Sequence, residues 1–149
     1  MKPTVNLNEL EFESYGEGKP GGYAVVSSLI GAKKLGYNVT VFQPGHAAIL
    51  PFHNHHINEE MFLVLEGEGT YPLKPMDIIA CPPGGREVAH QIRNTGTTDL
   101  KFLAVSTKEG ADIVEYPDQD TVGAMVGDYG SQRFRAFFKM DSAVGYPCP

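Results

Sequence analysis

Four of the chain's five histidines and an acidic pair fall in one stretch, Gly45–Gly67, which reads GHAAILPFHNHHINEEMFLVLEG. Imidazoles and carboxylates together are the donor set of zinc, iron, nickel, copper and manganese. His53 and His55 stand two apart, so in an extended strand both side chains project from the same face. His56 then points to the opposite face, and His46 falls in the turn Gln43–His46; neither is expected to bind the ion. Of the pair Glu59 and Glu60, the second opens the apolar run that follows, where a tight reversal can bring it opposite the two histidines. A His-x-His pair with a spaced carboxylate predicts a site for one divalent metal ion (zinc, iron, nickel or manganese). A fourth ligand has to come from elsewhere in the chain, and His90 is the one histidine remaining.

The elements that must position these residues read as short strands. Tyr37–Phe42 alternates polar and apolar residues and is rich in β-branched types, a strand pattern. Similar short segments are expected at Tyr23–Leu29, Phe52–His56, Glu60–Leu65, Thr70–Leu73, Met76–Cys81, Val88–Arg93, Leu100–Ser106, Ile113–Tyr116 and Phe134–Lys139. Glycine- or proline-bearing turns separate many of them, as at Glu66–Gly69, Pro82–Gly85 and Asn94–Asp99. No apolar set recurs at helical spacing over three turns. The prediction is an all-β sandwich or barrel, with an N-terminal arm over 1–22, a barrel over 23–116, and a C-terminal extension over 117–149 that carries a strand near 134–139.

Bulk properties narrow the class. A chain of 149 residues, 42% hydrophobic, is one domain's worth and can bury a core. A net charge of −6 argues against a nucleic-acid groove or an anionic membrane surface as partner. The polar, acidic start lacks the apolar core of a signal peptide, and no apolar run approaches membrane-spanning length. A cytoplasmic protein is expected. The two cysteines, Cys81 and Cys148, match no zinc-ligand spacing, and Cys81 within IIACPP is read as a small buried apolar residue.

Two stretches of the sequence resemble the paired motifs of the cupin superfamily. His53-Asn54-His55, four residues, Glu60, six residues and Gly67 follow the first motif, and its final spacing selects Glu60 over Glu59. Pro82-Pro83-Gly84, then His90, three residues and Asn94 follow the second. The motifs span 45–67 and 76–94. The resemblance implies a small jelly-roll barrel whose metal is held by His53, His55, Glu60 and His90. Three departures stand out: seven residues separate Gly45 from His53 where the pattern has five, Met76 occupies the place of a glycine, and five residues separate Gly84 from His90 where the pattern has two. With only eight residues between Gly67 and Met76, the usual hairpin between motifs is short or missing. The stretch from Gly31 to Gly96 is similar to a group of small, single-domain bacterial cupins.

The superfamily spans isomerases, epimerases, dioxygenases, decarboxylases, storage proteins and sugar-sensing regulators, so the resemblance implies a site and leaves the substrate open. An enzyme acting on a small molecule, dioxygenase-like or sugar isomerase/epimerase-like, is the first expectation. A non-catalytic module that binds a small ligand around a structural metal is the second. Gln91 and Asn94 are candidates to orient ligands and Glu59 to act as a base. Phe42, Phe62, Val64 and Phe102 could line a pocket, although core packing is their simpler role. Lys33, Lys34, Arg86 and Arg93 could supply charge to an anionic substrate. Phe134–Phe138, late and aromatic, suits packing across a homodimer or, equally, an edge strand within one chain.

Overall fold

The computed structural model describes residues 4–17, 21–45, 51–67, 72–127 and 133–145. Among the described residues, ten strands form two antiparallel sheets: β1 Glu13–Ser14, β2 Gly22–Val25, β3 Leu35–Phe42, β4 Asn54–His55, β5 Glu60–Glu66, β6 Ile78–Cys81, β7 Leu100–Thr107, β8 Ala111–Tyr116, β9 Thr121–Val126 and β10 Phe134–Lys139. One sheet has the order β1-β2-β3-β7-β5-β6, the other β10-β9-β8-β4. The expected all-β jelly roll is what the chain forms, with a short helix, α1 Val26–Ile30.

Strand alternation sets the core. Phe42, Phe62, Val64, Leu100 and Phe102 point inward from the six-stranded sheet and pack together with Cys81. The aromatic members meet edge to face, with Phe42 and Phe62 ring centroids 5.4 and 5.8 Å from Phe102. On β8 the inward positions are Asp112 and Val114, both buried, while Ala111 and Ile113 face out. The four aromatic and aliphatic candidates for a pocket wall are thus core residues, and Cys81 is buried among them, at 5% exposure.

Several elements depart from the sequence reading, each for a local reason. Tyr23–Leu29 does not run on as a strand: it bends into α1, which closes on Gly31 in the left-handed conformation at φ 68°, its N–H bonded to the Ser27 carbonyl. That glycine is the stop signal of a helical turn, and Val26 is buried by it. Phe52–His56 contributes only the two residues of β4, paired with β8, plus a single bridge at His53. Val88–Arg93 is no strand; Arg86–Val88 coils into a 3-10 turn and His90 makes the one bridge to His53. Val122–Val126, read only as an apolar piece, is most of β9 and pairs along its length with β8 and β10. Residues 70 and 71 of the expected strand Thr70–Leu73 lie outside the described residues, as do His46 and Cys148; Pro72 and Leu73 are not in a strand.

Candidate metal centre

The first two site residues are set by a backbone bridge. His53 N–H donates to the His90 carbonyl at 3.0 Å and His90 N–H returns the bond at 2.8 Å. Residues that exchange both hydrogen bonds in an antiparallel pair project their side chains on one face, so the bridge puts two imidazoles side by side, their ring centroids 4.8 Å apart. The five-residue spacing before His90 is absorbed by the 3-10 turn Arg86–Val88, which leaves His90 at the bridge. The proline-glycine loop ahead of it is tied to β4 by Gly84 N–H on the His55 carbonyl, 2.8 Å, and by Asn54 Nδ2 on the Gly84 carbonyl, 2.9 Å.

Glu60, at the head of β5, completes the cluster. Its Oε2 lies 3.1 Å from His90 Nε2, 3.5 Å from His55 Nε2 and 3.8 Å from His53 Nε2. Ligand atoms of His53, Glu60 and His90 all fall within 4.8 Å of one another. His55 joins through Glu60 and sits slightly apart from that tight set. Each ring's other nitrogen faces an acceptor: Nδ1 of His53 donates to the Pro51 carbonyl at 2.8 Å, that of His55 to Asp112 Oδ2 at 2.6 Å, and that of His90 faces the Val88 carbonyl at 3.4 Å. A proton on Nδ1 leaves the Nε2 lone pair aimed at the cluster, the arrangement a metal-binding imidazole needs. Two donors about 2.1 Å from one divalent ion stand roughly 3.0–3.4 Å apart, close to the separations around Glu60. The donor set therefore fits a metal ion.

The electrostatics differ from ring to ring. Burial pushes His53 below its ordinary pKa, favouring the neutral ring that binds metal. Burial alone would raise Glu60, but the hydrogen bond from His90 and the neighbouring His55 and His53 hold its carboxyl below the usual range. For His90, burial works against the charged ring, yet the Cys81 and Glu60 side chains beside it push it up to about 10.

The other candidates fall elsewhere. His56 is exposed and bonds Glu115 through Nε2 at 2.7 Å, away from the cluster. Asn94 is fully engaged with backbone: its Nδ2 donates to the Phe42 and Thr98 carbonyls and its Oδ1 accepts from Gly96 N–H. It staples a loop and orients no ligand. Gln91 Oε1 accepts from Arg93 Nε at 2.7 Å. Arg86 is engaged by Glu115 and Asp120. Glu59 is exposed on the loop between β4 and β5.

Two residues near the cluster escaped the sequence reading. Asp112 holds His55, and Tyr116 stacks on His53 with centroids 6.1 Å apart. The signal was present in Asp112-Ile113-Val114-Glu115-Tyr116, where an acid shares the inward alternation of Val114 and Tyr116. A strand begun at Ile113 hides it.

The Cupin domain family matches residues 38–106. Auxin-binding protein T92 of Nicotiana tabacum is 30% identical over 76% of this chain and 67% of its own length. Auxin-binding protein 1 of Arabidopsis thaliana is 29% identical over 76% of this chain and 63% of its own length. The match thus spans about two thirds of those relatives. Among solved structures, a candidate sugar phosphate isomerase from Acidithiobacillus ferrooxidans superposes with a TM-score of 0.78 at 23% identity, covering 97% of this chain and 96% of that one. A sugar phosphate isomerase of the cupin superfamily from Silicibacter pomeroyi gives 0.74 at 23% identity, with 95% of each chain covered. The chain belongs to the cupin superfamily. Among the described residues, no helix is long and apolar enough to cross a membrane.

Proposed function

We propose that this cupin uses one divalent metal ion, held by His53, His55, Glu60 and His90, to isomerise or epimerise a small sugar-type substrate. The observation that carries the metal is the approach of three imidazole Nε2 atoms to one carboxylate oxygen, at 3.1, 3.5 and 3.8 Å. The substrate class is supported by two structures that match nearly the whole chain and bear the name sugar phosphate isomerase. A bound ion would supply Lewis acidity to polarise a substrate carbonyl, and with six-coordinate geometry it would keep two positions open. The chain's own part is to hold the three rings in one tautomer and flank the site with Tyr116, whose ring lies 6.1 Å from His53.

A second reading, a non-catalytic module that holds a small ligand at the metal, is favoured by the auxin-binding proteins among its relatives. Metal content of protein purified without metal-affinity resin tests the common premise. Near-stoichiometric metal is expected, with occupancy falling at least about tenfold in His53→Ala and Glu60→Ala. Metal-free wild-type protein, with both variants unchanged in stability and ligand binding, overturns it. Incorporation of deuterium from solvent into sugar phosphates supports the isomerase. Ligand binding without turnover supports the module, and stoichiometric iron with oxygen consumption points to dioxygenase chemistry. We also infer that the chain works as a homodimer joined through β10, whose Phe134, Phe137 and Phe138 are each about half exposed.

A further inference from the structure

We propose that Asp112 is a positioning residue for the metal centre, fixing the tautomer and aim of His55 through a chain of hydrogen bonds that starts in the β7–β8 hairpin. The inference rests on the metal-binding reading and extends it to a residue outside the ligand set.

Asp112 is 5% exposed, and a carboxylate that deep survives only with its oxygens fully engaged. Oδ2 accepts from His55 Nδ1 at 2.6 Å and from Asn58 Nδ2 at 2.7 Å, while Oδ1 accepts from Ile57 N–H at 3.2 Å. Asn58 cannot turn its amide round without loss, because its Oδ1 already accepts from Thr107 Oγ1 at 3.1 Å and Glu109 N–H at 3.0 Å. Thr107 Oγ1 in turn accepts from Glu59 N–H at 3.0 Å. The loop Ile57–Glu59, which joins two proposed ligands, is thereby fastened to the hairpin on both flanks. His55 is the ligand that needs this help. It is the one outside the tight cluster of His53, Glu60 and His90, and its orientation rests on a side chain where the other two rings use carbonyls close in sequence.

The environment of Asp112 is built for an acceptor at both oxygens. In Asp112→Asn one of them becomes an NH2 group. Placed at Oδ1, it opposes the Ile57 N–H; placed at Oδ2, it opposes Asn58 Nδ2 and forces His55 to carry its proton on Nε2, where the metal should sit. The first placement loosens the loop that follows His55 and the second turns its tautomer, so either way an isosteric change should weaken metal binding, and that separates positioning from simple packing.

The test uses the full chain and Zn²⁺ as the probe. Zn²⁺ affinity is measured by chelator competition, and the His55 tautomer by long-range proton–nitrogen correlation in metal-free protein with labelled histidine. The expected results are an Nδ1–H tautomer in the wild type and, in Asp112→Asn, an affinity loss of about 10–100-fold, accompanied by a shift toward Nε2–H where the amide NH2 faces His55. Asn58→Ala, which leaves Asp112 in place and cuts one of its ties, should lose several-fold and covers the case in which Asp112→Asn does not fold. Normal wild-type affinity, with tautomer and affinity unchanged in a folded variant, overturns the role of Asp112 and leaves the metal reading standing. Wild-type protein that takes up no Zn²⁺ overturns both.

Discussion

At the scale of single residues, the cluster proposed to hold the metal is also a proton store. His90 reaches about 10 with burial opposing it and Cys81 and Glu60 outweighing that opposition, so at neutral pH it carries a proton on the metal-free protein. A raised folded pKa stabilises the protein fully below the unfolded value of about 6.5, and the benefit is lost as pH rises toward 10. Metal needs the lone pair that this proton occupies. Uptake at pH 7 should therefore release about one proton, read by calorimetry in buffers of different ionisation enthalpy, and the metal-free protein should lose stability between pH 6.5 and 10. No proton release on binding would remove His90 from the ligand set. That these side chains gather was legible in the sequence because imidazoles two apart and a glutamate at fixed spacing are local facts. The sequence kept Asp112 hidden because that contact joins residues 57 apart in the chain, and pairing across a sheet leaves no trace in spacing.

At the scale of elements, two positive-φ positions explain what the motif glycines do. Gly67 ends β5 at φ 90°, and a Cβ there would lie 2.7 Å from Leu100 Cα and overlap the Asp99 carbonyl. Met76, standing where the second motif has glycine, still adopts φ 76° and is 74% exposed. Its backbone is held in the turn by its N–H on the Val64 carbonyl at 2.7 Å and by Val64 N–H on the Asp77 carbonyl at 3.0 Å. A side chain in that region costs roughly 1–2 kcal/mol, partly offset by the chain entropy that glycine loses on folding. Met76→Gly should thus stabilise the protein by about 0.5–1 kcal/mol, whereas Gly67→Ala should destabilise it by about 2 kcal/mol or more. Denaturant midpoints of the two variants check the signs; a destabilised Met76→Gly would mean that the Met76 side chain contributes packing. Strands with clean alternation, such as β3 and β7, were legible from sequence. Where a buried residue, a cap glycine and a neighbouring bridge decide the outcome jointly, as at α1 and around His90, local pattern was a poor guide.

At the scale of the whole molecule, β10 is the terminal strand of its sheet among the described residues, and its residues suggest how a second copy would add to it. Met140 N–H bonds the Asp120 carbonyl, so in the β9–β10 register the even-numbered residues of β10 are bonded to β9. The odd-numbered Arg135, Phe137 and Lys139 then turn their backbone groups to the open side. A two-fold antiparallel pairing must place some residue opposite itself. Centring on Arg135 would oppose two guanidinium groups, and centring on Phe137 would set Arg135 against Lys139 within the ladder. Centring on Ala136 sets Phe134 against Phe138 and Arg135 against Phe137, repeating between chains the stacking of Arg135 over Phe137 at 5.1 Å within one. Its one unfavourable pair, Arg133 with Lys139, falls at the ladder's end. Opposed residues of this unbonded kind have Cα atoms about 4.5 Å apart, inside disulfide range. In a Cys148→Ser background, Ala136→Cys should therefore form a disulfide-linked dimer under mild oxidation, Phe137→Cys much less, and light scattering of the unmodified chain should give twice the monomer mass. A monomer that fails to cross-link through Ala136→Cys would overturn the β10 dimer; efficient cross-linking through Phe137→Cys instead would overturn this register.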